Sequence, residues 1–158
     1  MTTTITGATG IDNIQAATGA VLQVVSASTT TQQVTTTTSY VDTGLSVTIT
    51  PSSTSSKVKI EFVFTSINIA ASVTAGCSFR IMRDSTSLYT PTARHTFYAS
   101  ANLGGATYRP YMDMALDSPS TTSAITYKVQ VAGYSSNAVI LNYAGYFKST
   151  IMATEIAG

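Results

Sequence analysis

Val41-Asp42-Thr43-Gly44-Leu45-Ser46-Val47-Thr48-Ile49-Thr50, then Pro51-Ser52-Ser53-Thr54-Ser55-Ser56, then Lys57-Val58-Lys59-Ile60-Glu61-Phe62-Val63-Phe64 is the stretch whose reading decides the fold. In the first arm Leu45, Val47 and Ile49 fall on one side, with Ser46, Thr48 and Thr50 opposite. After the Pro/Ser turn Val58, Ile60, Phe62 and Phe64 fall on one side, and Lys57, Lys59 and Glu61 face water. A period of two places successive side chains on opposite faces of an extended chain. The stretch therefore predicts an antiparallel hairpin with one buried face.

The same reading extends along the chain. Strands are predicted at Val21–Ser26, Gln33–Val41, Leu45–Thr50, Lys57–Ile67, Cys77–Asp84 and Ser87–Tyr89. Four more follow at Arg109–Leu116, Ile125–Ala132, Val139–Tyr143 and Thr150–Ile156. The connections are rich in Gly, Pro, Ser and Asn, as at Asp117-Ser118-Pro119-Ser120 and Ser135-Ser136-Asn137. No segment repeats apolar i, i+3, i+4 spacing over three turns, so no helix is predicted. Thr and Ser supply 29 and 20 of the 158 residues, and only 9% are charged. A β-branched, Lys/Glu-poor composition favours pleated sheet over helix. The expected fold is all-β: an antiparallel β-sandwich or jelly roll over 21–158, preceded by an extended amino-terminal arm over 1–20.

That arm is small, polar and Gly-punctuated, with isolated Ile5, Ile11 and Ile14. Alone it buries too little apolar area to offset roughly 1–2 kcal/mol of backbone entropy per residue. The sequence reads it as a docking arm carrying those three isoleucines onto a neighbouring subunit; packing on its own domain is the alternative. A second distinctive region runs from Thr90 to Tyr108 and into the next strand. Arg94, His95, Phe97, Tyr98, Tyr108, Arg109 and Tyr111 make it a candidate surface-recognition loop, because Tyr and Arg dominate binding hot spots. Packing of the aromatics on the sandwich is the competing reading.

Catalytic and metal chemistry find little support. His95 is the only histidine and Cys77 the only cysteine, so a zinc site lacks ligands and a disulfide lacks a partner. Cys77 reads as a buried small hydrophobe. Asp42, Asp84 and Asp117 stand at predicted turns, where a short carboxylate bonds nearby amides. Asp113 and Asp117 are close enough to share a calcium ion, but no Asp-x-Asp-x-Asp-Gly loop frames them. No Gly-x-Ser-x-Gly elbow or complete phosphate loop occurs. A net charge of +1 offers no basic face for nucleic acid. No apolar run approaches a membrane span, and no export signal precedes the strands. The chain is therefore expected to be non-enzymatic, to need no cofactor, and to stay in the cell that makes it.

Three segments resemble a known family. The Thr43–Lys57 hairpin, Phe79-Arg80-Ile81-Met82-Arg83-Asp84-Ser85-Thr86 and Ser149-Thr150-Ile151-Met152-Ala153-Thr154-Glu155-Ile156 are similar to small β-domains in virion structural proteins of tailed bacteriophages, especially marine and cyanobacterial ones, of tail-fibre or decoration type. Where family members carry a plainer aliphatic run, this chain has Lys59 and Glu61. The resemblance implies a virion protein assembled in a bacterial host cytoplasm, a homotrimer, and major capsid or tail proteins as partners. A short arm, no shaft or coiled coil and a single β-domain favour capsid decoration, or a head-fibre subunit. The alternative is a tail-fibre module that binds a host-surface glycan or protein. A cell-surface adhesin domain is a weaker third reading.

Overall fold

A computed structural model describes residues 16–69, 75–91, 97–99, 107–134 and 136–158. Its strands are β1 (Val21–Thr29), β2 (Gln33–Thr35), β3 (Val41–Ile49), β4 (Lys57–Ile69), β5 (Ala75–Arg83) and β6 (Thr86–Ser87). The remainder are β7 (Phe97–Ala99), β8 (Thr107–Asp117), β9 (Ile125–Gly133), β10 (Val139–Leu141) and β11 (Ser149–Ile156). One 3-10 turn, Tyr143–Gly145, lies between β10 and β11.

Two antiparallel sheets face each other. In the six-stranded sheet the long β4 is central, with β8 along one edge. Its other edge is shared, β11 pairing the first half and β10 the last three residues. β1 flanks β11, and β2 flanks β10. The second sheet runs β3-β9-β5, with β6 and β7 both pairing β5. The predicted sandwich is therefore what the chain forms.

The predicted hairpin is not. β3 pairs with β9, β4 pairs with β8, β10 and β11, and the two strands lie in opposite sheets. The segment from Thr50 to Ser56 crosses from one layer to the other, with Pro51 and Ser56 buried along the way. Alternation had indicated correctly which side of each strand is buried. Leu45, Val47 and Ile49 meet Val58, Ile60, Phe62 and Phe64 in one core. Folding one apolar face over the other gives both cover at once, which a hairpin in a single layer cannot do.

Other strand expectations shift for local reasons. Gln33–Val41 is not continuous, because β2 and β3 belong to different sheets. Between them Thr hydroxyls capture amides: Thr37 N–H donates to Thr35 Oγ1 at 3.3 Å and Ser39 N–H to Thr37 Oγ1 at 3.1 Å. Such side-chain bonds compete with ladder pairing. Gly44 takes a φ of +76° where the β3–β9 register shifts. Beside it Thr43 Oγ1 donates to Val129 O at 2.8 Å, wholly buried. β10 stops at Leu141 because Asn142 is left-handed, with a φ of +51°. β7 falls inside the stretch expected to be irregular.

Two carboxylates, Glu155 buried and Asp117 partly buried, fasten the layers. Glu155, on β11, accepts from Ser52 N–H and Ser52 Oγ at 2.7 Å each, and from Gln23 Nε2. Gln23 also donates to Thr50 O at 2.7 Å, so β1 and β11 together grip the crossing segment. Asp117, at the end of β8, takes Arg83 Nη1 at 2.9 and 3.0 Å and Tyr127 Oη at 2.7 Å. Arg83 and Tyr127 come from the opposite sheet, so this cluster bridges the sandwich. Asp84 Oδ1 accepts Thr126 N–H at 3.0 Å, while Asp42 accepts Lys128 Nζ and Gln130 Nε2 at 2.9 and 2.6 Å. The three turn aspartates thus bond distant strands rather than amides close in sequence.

Burial alone would raise the Glu155 carboxyl, but hydrogen bonds from Ser52 and Gln23 outweigh it and hold it at about 2, against an ordinary 4.5. A depressed carboxyl stabilises fully above its ordinary value and loses that contribution as pH falls toward its folded value. Unfolding midpoints of the wild type should drop through this acid window, while those of Glu155→Gln fall less. At neutral pH the variant should be less stable by about 1–3 kcal/mol. Parallel curves for the two proteins would contradict the clamp.

Candidate interaction surfaces

The predicted recognition loop is divided between the two sheets. Arg94 and His95 lie outside the described residues, as do Ile5, Ile11 and Ile14 of the arm. Phe97 enters β7 opposite Cys77, and Tyr98 lies opposite Gly76. The Tyr98 ring meets Tyr134 edge-on at 5.5 Å. Tyr108, Arg109 and Tyr111 belong to β8, in the other sheet. Tyr111 turns inward, its ring 5.1 Å from Phe79 and 6.0 Å from Phe62, and its hydroxyl donates to Asp113 Oδ2 at 3.0 Å. Burial and the Asp113 carboxylate push its phenol well above the usual tyrosine value.

Tyr108 points outward into a cluster that sequence order hides. Its ring lies 5.3 Å from Tyr143 and 6.0 Å from Phe147, both on the β10–β11 connection. Buried Asn142 holds that connection in place. Its amide donates to Thr29 O and Thr31 O at 3.3 Å, and its carbonyl accepts Ser149 Oγ at 2.6 Å. Tyr146, at 84% exposure, stands beside the cluster in sequence.

The two outer faces differ in kind. On β3 and β9 the outer face of the five-stranded sheet is polar: Lys128 pairs with Asp42, and Thr48 Oγ1 meets Thr126 Oγ1 at 2.9 Å. Arg80 extends it, bonding Gln130 at 2.8 Å and stacking 4.2 Å over the Tyr40 ring. The outer face of the six-stranded sheet mixes polar and apolar side chains on β1, β4 and β11 and is most apolar along β8. Met112, Met114 and Leu116 stand there at 73%, 63% and 61% exposure, opposite Val63, Glu61 and Lys59 of β4. Register carries the face on through Met152 of β11 to Val24 of β1, because cross-strand partners share a face. Two shallow depressions, of about 200 and 210 Å³, lie beside Met112. Met112, Met114 and Leu116 escaped the sequence reading, although alternation over Met112-Asp113-Met114-Ala115-Leu116 was their signal.

Among the described residues, Cys77, Asp113 and Asp117 are committed to structure. Cys77 is fully buried, and burial pushes its thiol up to about 12. Asp113 and Asp117 point to separate partners, Tyr111 and Met114 for the first, Arg83 and Tyr127 for the second. Among the described residues no three His, Cys, Asp or Glu side chains gather into a metal-binding group. No helix among them is long and apolar enough to cross a membrane.

No protein-family model matches the chain, and no curated protein matches it by sequence. Solved structures do. One is the T13 particle of infectious bursal disease virus, at 12% identity and a TM-score of 0.45, covering 96% of this chain and 40% of that one. Another is a mutant VP2 protein of that virus in T=1 particles, at 14% identity and a TM-score of 0.42, covering 96% and 41%. This chain spans about two-fifths of the length of those proteins. So loose a likeness assigns no role to any residue here.

Tyr111 and Tyr108 separate core from surface in a single assay. Tyr111→Ala should cost about 2–4 kcal/mol of unfolding free energy, through loss of its stacked ring. Tyr108→Ala should cost less than about 1 kcal/mol. Equal losses in chemical denaturation would contradict the assignment of Tyr111 to the core.

Proposed function

We propose that this protein is a non-enzymatic structural component of a virus particle, acting as a capsid decoration or head-fibre subunit. The observation that carries the reading is the contrast between the outer faces: one sheet has a water-facing finish, and the other presents Met112, Met114 and Leu116. Contiguous exposed apolar surface on a small protein marks a contact site. The acidic side chains resolved in the sandwich serve folding, which fits a scaffold better than a catalyst. The resemblance to phage virion β-domains supplies the kind of particle, a tailed bacteriophage assembled in its host's cytoplasm, and the expectation of a homotrimer.

In this proposal the arm over residues 1–20 anchors the domain to a major capsid or tail protein through Ile5, Ile11 and Ile14. Its departure point supports the idea. Gly19 N–H donates to Ala157 O and Ala157 N–H to Ala20 O, both at 2.8 Å, which fixes the root of the arm beside the carboxyl terminus. Many copies, each held by a short apolar arm, bind a repeating shell firmly although each contact is weak.

A second reading, recognition of a host-surface glycan or protein, is favoured by one specific observation, the exposed cluster of Tyr108, Tyr143 and Phe147 with Arg109 nearby. Tyrosine supplies large contact area at low entropic cost. In that case Tyr98, Tyr108 and Arg109 would form part of the contact surface, with Arg94, His95 and Phe97 joining them.

Truncation separates the two. Removing residues 1–15 leaves the Gly19–Ala157 pairing intact and should abolish incorporation into particles, as read by immunoblot of purified virions. Tyr108→Ala should leave both incorporation and host adsorption unchanged. Normal incorporation of the truncated chain, or lost adsorption with Tyr108→Ala, would favour the recognition reading.

A further inference from the structure

The outer face of the six-stranded sheet is built to be covered, and we infer that a second copy of this chain covers it. The inference does not depend on where in a particle the protein sits.

Shape narrows the occupant first. Val63, Met112, Met114, Leu116, Met152 and Val24 lie on one continuous sheet surface spanning β8, β4, β11 and β1. Only shallow depressions mark it, so no helix or extended peptide finds a groove. Strand addition at the β8 edge is also hindered. Pro110 has no N–H to donate and sits where the β4–β8 register shifts. The Met114 N–H is already taken by Asp113 Oδ1 at 2.8 Å. A carboxylate and a proline on an exposed edge are common protections against pairing with another strand. Contact is therefore made by side chains across the face.

Charge narrows it further. On β4 the face carries Lys57, Lys59 and Glu61, of which Lys59 and Glu61 pair at 3.0 Å. Anionic lipid or nucleic acid would need a cluster of positive charge, and one unpaired lysine at the start of β4 does not supply it. A partner that suits it is another flat sheet face that carries equally few charges. Among the described residues the outer face of β3 and β9 is polar, so this surface best matches itself. Two copies facing each other in opposite directions bring Lys59 of one toward Glu61 of the other, a two-fold contact that closes as a dimer rather than as the homotrimer the resemblance implies.

Area is sufficient. Four strands at about 4.8 Å spacing, with their side chains, span roughly 20 Å, and the exposed run of β4 is roughly 25 Å long. Each copy then contributes about 500 Å² and two copies about 1,000 Å², the size from which specific interfaces begin. Methionines suit such a contact because their flexible thioethers adapt to an opposing surface.

The test is the molar mass of the full-length chain by size-exclusion chromatography with light scattering. The wild type should exceed the 16.5 kDa of one chain. Met112→Glu and Met114→Glu should each weaken association by more than about tenfold. Thr48→Ala, on the outer face of the five-stranded sheet, should leave association unchanged. Met112→Thr is a milder change, and thermal melting of every variant separates lost contact from lost folding. A monomeric wild type, association that survives the methionine variants, or association that Thr48→Ala disrupts equally would overturn the inference. None of these results bears on incorporation of the truncated chain into virions, so the two proposals fail separately.

Discussion

Everything in this sandwich depends on the crossing from Thr50 to Ser56, and on the buried carboxylate of Glu155 that holds it. β3 and β4 each carry one apolar side, and neither side can stay in water. The crossing lays one over the other, so that Leu45, Val47 and Ile49 meet Val58, Ile60 and Phe62 across a common core. A turn passing between layers leaves amides that no ladder can satisfy, and those amides must find acceptors. Glu155 accepts two donors of Ser52, and Gln23 ties in Thr50. A buried charge is costly unless it is well bonded, and here the bonds hold the carboxyl ionised to about pH 2. Asp117, with Arg83 and Tyr127, repeats this arrangement at the same end of β4, where Glu155 and Asp117 lie on either side of Val58.

With the core closed this way, the surface divides into two kinds. The five-stranded sheet meets water through Asp42, Lys128, Gln130 and Arg80, each bonded to a neighbour. The six-stranded sheet presents methionine, leucine and valine outward, while Pro110 and Asp113 blunt the edge beside them. An open edge joins to almost any strand, whereas an apolar face selects a partner of matching shape and leaves the protein's own sheet complete. Such selectivity suits a subunit that must assemble in a defined geometry, and it connects the fold to the proposed role in a particle.

Much of the core was legible from alternation alone. Every inward residue assigned between Leu45 and Phe64 is buried, because a period of two reports directly which side faces away from water. Pairing was not legible, since alternation is the same for a hairpin and for two strands in opposed sheets. Glu155 looked like one scattered carboxylate among seven; its role arises from Ser52 and Gln23, which are more than 100 residues away in sequence. Tyr111 and Tyr108 lie three residues apart and were read together, yet one stacks on Phe79 and the other on Tyr143. Odd spacing from Tyr108 to Tyr111 sends the two rings to opposite faces, a signal the sequence did contain. The Thr-rich segment before Val41 concealed a change of sheet because threonine serves both strands and hydroxyl-bonded turns.

The most direct measurement of the crossing is disulfide formation between introduced cysteines. Thr48 and Thr126 are cross-strand partners on the outer face of the five-stranded sheet. Thr48 and Lys59 would be neighbours only if β3 and β4 formed a hairpin around Pro51–Ser56. A bridge requires Cα atoms within about 7 Å. The crossed sandwich predicts that Thr48→Cys with Thr126→Cys oxidises to an intrachain disulfide in the folded protein, and that Thr48→Cys with Lys59→Cys does not. The opposite result would show that β3 and β4 share one sheet and would contradict the architecture on which the rest depends.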